Sequence, residues 1–138
     1  MRIRSQVSDF RSQIGIAMFL VLLDLFLQSY FRGRGMGMIN QGVSFGLLPR
    51  LGTTVAVIVY IVFVFAYFRF KTMRGNLGLL PLIFGGMGNL IPRLLWGGVW
   101  DYLYLPVMPF WFNISDVMIT IGVVLYLISN TLIPARRC

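Results

Sequence analysis

The sequence predicts an all-α integral membrane protein with four transmembrane helices, on two grounds. The first is composition: 58% of the 138 residues are hydrophobic and 12% are charged, against about 45–50% and about 25% in soluble domains. The mean hydropathy is +0.82, and one small soluble core could not bury that much apolar surface. The second is that the apolar residues form four runs of about 17–25 residues, the length that crosses a hydrocarbon core near 30 Å thick.

The four runs are each interpreted as a spanning helix. The first follows a basic, polar head and is too long for the apolar region of a cleaved signal peptide. The second is rich in β-branched and aromatic residues, but its length and lack of alternation favour a helix over a strand. The third ends in a polar stretch, and the fourth is introduced by the sequence FNISD. The predicted spans are residues 14–31, 51–68, 77–95 and 117–133.

The chain carries no internal repeat and no linker, so residues 1–138 are taken as one membrane domain. The glycine-rich connection at 33–49 is expected to form a short strand or a re-entrant segment after helix 1. Four spans place eight of the twelve basic residues on one side of the membrane, and basic loops are typically cytoplasmic. Both termini are therefore expected in the cytoplasm. The eight residues are Arg2, Arg4, Arg11, Arg69, Lys71, Arg74, Arg136 and Arg137.

Several function classes are excluded by residue types that the chain lacks. It has no His and one Cys, which removes most zinc-site patterns and any Cys–His nucleophile pair. Cys138, the last residue, has no partner for a disulfide and is read as an incidental thiol. The net charge of +8 lies at membrane boundaries, which the positive-inside rule explains better than nucleic-acid binding does.

A few polar side chains lie in or near the apolar runs, where an ionised group costs roughly 2.5–3.5 kcal/mol at the bilayer centre. Each has an ordinary structural explanation by itself: a packing face with a snorkelling Arg, a helix cap, or a solvated loop charge. Their spacing nevertheless places them on shared helical faces, at i,i+4 in the third span and i,i+3 before the fourth. They are Asp24, Gln28, Asn89, Arg93, Asp101, Asn113 and Asp116.

Asp101 and Asp116 are separated by a short excursion that leaves and re-enters the same membrane face. They can therefore meet at one rim of the bundle. Two carboxylates at close range share a proton, so that one accepts a proton from water while the other donates one. This is the arrangement of aspartic proteases, which hydrolyse amides without a metal, Ser, Cys or His.

Three ordered motifs carry a family resemblance. The stretches GGMGNLIPR at 85–93, GVWDY at 98–102 and FNISD at 112–116 resemble the GNxxDR, GxVxDF and FNxAD patterns of the lipoprotein signal peptidase (signal peptidase II) family. The segment NQGVSFG at 40–46 is similar to that family's NxGxAF block. Asp24 resembles an Asp in the family's first helix.

The resemblance implies roles for individual residues. Asp101 and Asp116 would be the catalytic pair, with Asn113 orienting that pair or the substrate. Supporting roles would fall to Asn89 and Arg93 in the polar network of the site, to Asn40 facing the substrate, and to Asp24 holding the outer segment from span one.

The resemblance also implies an activity and a location. The enzyme would be an intramembrane aspartic endopeptidase that removes the signal peptide from diacylglyceryl-modified prolipoproteins, cutting just before the lipidated Cys. It would need no cofactor and no metal. It would act as a monomer among membrane lipids, without nucleic acid, in the bacterial inner membrane. Its active site would face the extracytoplasmic side.

Four positions depart from the family pattern. Pro92 stands for Asp, which removes a carboxylate beside Arg93. Ser115 stands for Ala, and Tyr102 stands for Phe. Gln28 stands for Lys, so that a partner of Asp24 is expected to be lost. These departures keep open an inactive or repurposed relative that binds lipidated membrane segments. Intramembrane Asp and Arg also keep open a small proton or ion transporter.

Overall fold

A computed structural model describes residues 2–42, 51–69, 78–107 and 109–132. Residues 43–46 of the NQGVSFG segment lie outside these ranges, as do Lys71, Arg74, Arg136, Arg137 and Cys138. Within it the chain forms four α-helices and four three-residue β-strands. In chain order these are α1 (Arg2–Gly33), β1 (Met38–Asn40), α2 (Gly52–Arg69), α3 (Leu79–Trp96), β2 (Val99–Asp101), β3 (Leu103–Leu105), β4 (Phe110–Phe112) and α4 (Ile114–Leu132).

The four helices confirm the predicted class of multi-pass membrane protein. Three segments are long and apolar enough to cross a membrane, namely Phe10–Gly33, Gly52–Arg69 and Leu79–Trp96. An 18-residue helix is about 27 Å long, close to the thickness of a hydrocarbon core. The fourth helix is also apolar over Ile114–Ser129. Large apolar side chains such as Phe19 and Phe65 are exposed on the outside of the bundle, where lipid replaces water as solvent.

Helix α3 contacts each of the other three helices, and glycines allow its close approach to α4. A Cβ at Gly85 would lie 2.7 Å from the carbonyl oxygen of Ser115, and one at Gly88 would collide with the Ser115 hydroxyl. Small residues at a helix interface let backbones approach in this way. A short core of Ala17, Val21 and Met118 packs alongside this contact.

The helix ends differ from the sequence prediction where local hydrogen bonding extends a helix beyond its apolar run. Helix α1 begins at Arg2 instead of residue 14, so the polar head is helical too. Helix α4 begins at Ile114 instead of 117, because Asn113 caps it. Helix α3 continues through Pro92 to Trp96 and ends at Gly97, which adopts a left-handed conformation with φ of 75°.

Two small antiparallel sheets lie at the end of the bundle where α1 and α3 end and α4 begins. Strand β1 confirms the predicted strand after helix 1, and it pairs with β2 so that Asn40 lies opposite Val99. Strands β3 and β4 form a hairpin, with Tyr104 opposite Trp111. The three strands between α3 and α4 were not predicted. They return the chain to the same end of the bundle, so that Asp101 before the excursion and Asp116 after it lie close together.

Candidate active site

Asp101 is the last residue of β2 and is almost fully buried, at 2% exposure. The β1–β2 pairing places Met38 opposite Asp101 and Asn40 two residues further along β1, and Asn40 Nδ2 donates a hydrogen bond to Asp101 Oδ2 over 3.2 Å. The Asn40 side chain is itself held, because the backbone N–H of Gly42 donates to its Oδ1 over 3.2 Å. Such a turn fixes an Asn rotamer through its own backbone.

Asp116 is fixed by a reciprocal cap at the start of α4. The backbone N–H of Asp116 donates to Asn113 Oδ1 over 2.9 Å, and the backbone N–H of Asn113 donates to Asp116 Oδ2 over 3.2 Å. This is the capping-box geometry, in which the residue before a helix and the third residue within it satisfy each other's backbone. The negative carboxylate also lies favourably at the positive end of the helix dipole.

Two asparagine side chains connect the two aspartates. Asn113 Nδ2 donates to Asp101 Oδ1 over 2.9 Å and to Asn89 Oδ1 over 3.0 Å. Asn89 Nδ2 in turn donates to Asp116 Oδ1 over 2.7 Å. Each amide thus donates to the carboxylate of a different aspartate, and Asn113 also donates to Asn89, so β2, α3 and α4 hold the two carboxylates in one connected network.

The environment of Asp101 suits proton transfer near neutral pH. Burial, and secondly the nearby Asp116 carboxylate, raise the pKa of Asp101 to about 7. Hydrogen bonds from Asn40 and Asn113 and the cation of Arg93 lower it, without cancelling the increase. A carboxyl with a pKa near the working pH can both hold and release a proton, which is what general acid–base catalysis needs.

Arg93 lies on α3, one turn beyond Asn89, and is 5% exposed. Its Nη1 is buried and has no hydrogen-bond partner among the described residues. The preceding residue is Pro92, where the family pattern has an Asp. Arg93 instead acts through space on Asp101.

An apolar cavity of about 210 Å³ lies between α2 and α3 and reaches α4. Asn89 and Arg93 provide its polar wall, so one side of the cavity is formed by residues that also act on the two aspartates. The remaining lining residues are Ala56, Val59, Tyr60, Phe63, Leu82, Gly86, Leu90 and Ile119.

Asp24 is completely buried in α1 and lies next to the network without belonging to it. Its Oδ1 accepts from the Tyr102 hydroxyl over 2.6 Å and from the backbone of Ile114 over 3.1 Å. Its Oδ2 accepts from Gln28 Nε2 over 2.9 Å and from both the backbone and the hydroxyl of Ser115. Asp24 therefore holds Tyr102, the residue after β2, and the start of α4.

The expectation that Gln28 leaves Asp24 without a partner is wrong. An amide at this position donates to the carboxylate one turn earlier, as a lysine would, and its Oε1 also accepts from the backbone N–H of Trp100 over 3.2 Å. Burial and the hydrogen bond to Asp24 raise the pKa of the Tyr102 hydroxyl, which keeps it protonated as a donor. Ser115 and Tyr102 are polar contacts that sequence reasoning missed, although both were noted as departures from the family pattern.

The structure thus brings six of the seven predicted site residues into two adjoining clusters, and leaves the seventh beside them. Asn40, Asn89, Asp101, Asn113 and Asp116 form one hydrogen-bonded group, and Asp24 forms the other with Gln28, Tyr102 and Ser115. Arg93 lies against the first group without a direct hydrogen bond from its Nη1.

The sequence and fold of this four-helix bundle have known counterparts. The sequence matches the family described as "Signal peptidase (SPase) II" over residues 16–132. It is 33% identical to the "Lipoprotein signal peptidase" of Pelodictyon phaeoclathratiforme over 88% of this chain and 78% of the relative. It is 40% identical to the protein of the same name in Desulfitobacterium hafniense over 65% of this chain and 63% of the relative. The chain belongs to the signal peptidase II family.

The fold agrees with that assignment. The chain is similar to a bacterial membrane enzyme solved by the in meso method at 2.3 Å resolution, with a TM-score of 0.68 and 25% identity over 86% of both chains. A second solved structure of a bacterial membrane enzyme, obtained by the same method at 1.9 Å resolution, shares the fold with a TM-score of 0.68 and 24% identity over 87% of this chain and 92% of that chain. The chain spans 78% of the Pelodictyon relative's length but under two thirds of the Desulfitobacterium relative's.

Proposed function

We propose that this chain is an intramembrane aspartic endopeptidase that removes the signal peptide from diacylglyceryl-modified prolipoproteins, cutting just before the lipidated Cys. The observation that carries the proposal is the asparagine network that holds Asp101 and Asp116 together. The names of the relatives supply the substrate class. The chemistry follows from the two carboxylates.

In this proposal Asp101 and Asp116 share one proton. The ionised carboxylate takes a proton from a water molecule, while the oxygen of that water bonds to the carbonyl carbon of the scissile amide. The protonated carboxyl donates a hydrogen bond to the carbonyl oxygen. Collapse of the tetrahedral intermediate breaks the C–N bond, and the leaving nitrogen takes a proton from the pair. The products are a signal peptide with a new carboxylate and a protein that begins with the amine of its lipidated Cys.

The remaining residues of the network have supporting roles in this proposal. Asn113 and Asn89 hold the two carboxylates at a fixed separation, and Asn40 of β1 donates a further hydrogen bond to Asp101. Arg93 supplies a positive charge that limits the pKa of Asp101.

The apolar cavity between α2 and α3 suits part of an acyl chain of the substrate's lipid. Its walls are aliphatic and aromatic, and Asn89 joins it to Asp116. A substrate that enters sideways from the lipid would place part of an acyl chain against these walls and its scissile bond at the polar end. The site would face the extracytoplasmic side of the bacterial inner membrane, with both termini cytoplasmic and the enzyme a monomer among lipids.

A transporter is the weaker alternative, because the buried polar and charged side chains among the described residues lie at one end of the bundle. An inactive relative would bind lipidated segments without cleaving them, so it would form no product.

The deciding experiment is to incubate the purified protein in detergent with a diacylglyceryl-modified prolipoprotein and to determine the products by mass spectrometry. We expect a new N-terminus at the lipidated Cys, and none from the unlipidated precursor. Intact substrate beside an active reference peptidase would support the binder.

A further inference from the structure

Asp24 accepts five hydrogen bonds although no Lys or Arg among the described residues donates to it. Two come from the backbone at the start of α4 and three from the side chains of Gln28, Tyr102 and Ser115. We call these three residues and Asp24 the Asp24 cluster. A buried carboxylate needs either a nearby cation or several donors. In this chain neutral donors meet the whole requirement.

Two of the three side-chain donors adjoin a proposed catalytic residue in the chain. Tyr102 follows Asp101, and Ser115 precedes Asp116. Gln28 reaches the other side of Asp101, because its Oε1 accepts from the backbone of Trp100. The cluster therefore ties the backbone on both sides of Asp101, and the backbone just before Asp116, to one point on α1.

The packing around the cluster makes these ties rigid. Asp24, Gln28 and Ser115 are each fully buried. The Tyr102 ring stacks on Phe31 of α1, with centroids 5.1 Å apart and planes within 7°. The Ser115 hydroxyl occupies the space left by Gly88, where a Cβ would collide with it. A small shift of any member would thus move a neighbour on another element.

Gln28, Tyr102 and Ser115, three of the four departures from the family pattern, all donate to the carboxylate of Asp24, so the three positions depend on one another. A lysine at position 28 could neutralise Asp24 from one helical turn away, and two apolar neighbours would then suffice. A glutamine cannot neutralise it, so the two hydroxyls take over. The glutamine also gains the contact with Trp100 that an ammonium group, which has no acceptor, cannot make.

We propose that Gln28, Tyr102 and Ser115 act with Asp24 as one positioning unit that sets the separation of Asp101 and Asp116, with neutral donors in place of a cation. This inference rests on the proposed peptidase activity for its catalytic part. Its structural part, the mutual dependence of the three positions, does not.

The test combines single and multiple substitutions. Tyr102→Phe and Ser115→Ala each remove one donor, and we expect each to lower kcat about three- to tenfold with little change in KM, as for a net loss of about 0.7–1.4 kcal/mol. The double variant should lose about 10- to 100-fold. Adding Gln28→Lys supplies the cation, so the triple variant should recover to within about tenfold of wild type. If the positions were independent, the fold-loss of kcat in the triple variant would instead be the product of the losses in the single variants. That result would overturn the proposed unit.

A pH profile separates positioning from a general loss of stability. Besides Asp24 in α1, the charged groups around Asp101 are Asp116 of α4 and Arg93 of α3, and Asp116 raises the pKa of Asp101 only while it is held close. In the double variant the pKa of Asp101 should therefore be lower than in wild type. On the basic side of the profile, its activity should begin to fall at a lower pH. An unchanged basic limb would show that the cluster does not set the separation. Tyr104→Phe, at a half-exposed tyrosine of β3, and Ser129→Ala, at a serine that bonds within its own helix, are the matched controls.

Melting temperatures of the same variants keep the two proposals apart. A folded wild type that cleaves nothing would contradict the proposed function. The interdependence would then be judged from stability alone: recovery of the melting temperature in the triple variant supports it, and additive losses overturn it.

Discussion

Replacing Asn40 with Ala tests how the site sets the proton affinity of Asp101. Asn40 Nδ2 donates to Asp101 Oδ2 over 3.2 Å and so stabilises the ionised form. Its loss should raise the pKa of Asp101 from about 7. A hydrogen bond of this length contributes about 0.7–1.4 kcal/mol, and 1.36 kcal/mol corresponds to one pKa unit, so we expect a rise of about 0.5–1 unit.

The rise has a defined effect on the pH dependence of cleavage. The proposed catalytic pair would work while it holds one proton, and activity would fall as that proton is lost through the pKa of Asp101. A pKa of about 7 gives a ratio of kcat/KM at pH 8 to that at pH 6 of about 0.1, and a pKa of about 7.5–8 gives about 0.25–0.5. The basic limb of the Asn40→Ala variant therefore moves to higher pH, even though its maximum rate falls.

The assay is cleavage of a lipidated prolipoprotein in detergent at half-unit steps from pH 5 to 9, at substrate concentrations well below KM. Ile39→Val is the matched control, because Ile39 is on the same strand but contacts neither aspartate in the hydrogen-bonded network. A basic limb that stays in place in Asn40→Ala, or moves to lower pH, would refute the reasoning that this amide lowers the pKa of Asp101.

Two further predictions concern packing and charge. Gly88→Ala places a methyl group against the Ser115 hydroxyl and should cost about 1–3 kcal/mol of stability, seen as a lower melting temperature. Adding Ser115→Ala should restore part of that stability. A double variant that loses as much stability as the two single variants together would contradict this contact. Arg93→Met removes a buried cation whose Nη1 has no partner, so the melting temperature should hold or rise while kcat/KM falls at least about tenfold. A marked loss of stability with unchanged kcat/KM would contradict the proposed role of Arg93.

The helices were predictable from sequence because each is specified locally. A run of apolar residues long enough to cross a membrane requires a helix wherever it lies in the chain. The start of α4 was also present in the sequence, since Asn113 and Asp116 have the spacing of a capping box. The prediction placed that start at 117 because it followed the apolar run and did not use the cap.

The strands and the Asp24 cluster were not predictable in the same way. Strand β1 pairs with β2 across about sixty residues, and three-residue strands carry almost no periodic signal of their own. Gln28 was misjudged because a change from Lys to Gln was read as the loss of a charge. Its consequence depends on Tyr102 and Ser115, which are distant in sequence and meet Asp24 only in the folded protein.

The most direct test of the central claim compares cleavage by wild type with Asp101→Asn and Asp116→Asn, each purified and shown to melt as a folded protein. Asp9→Asn is the matched control, because Asp9 lies in the polar head before the apolar part of α1. The account predicts that the lipidated prolipoprotein is cut by wild type and by Asp9→Asn, and that either catalytic substitution lowers kcat by at least about a thousandfold. Cleavage within about tenfold of wild type by folded Asp101→Asn or Asp116→Asn would contradict it.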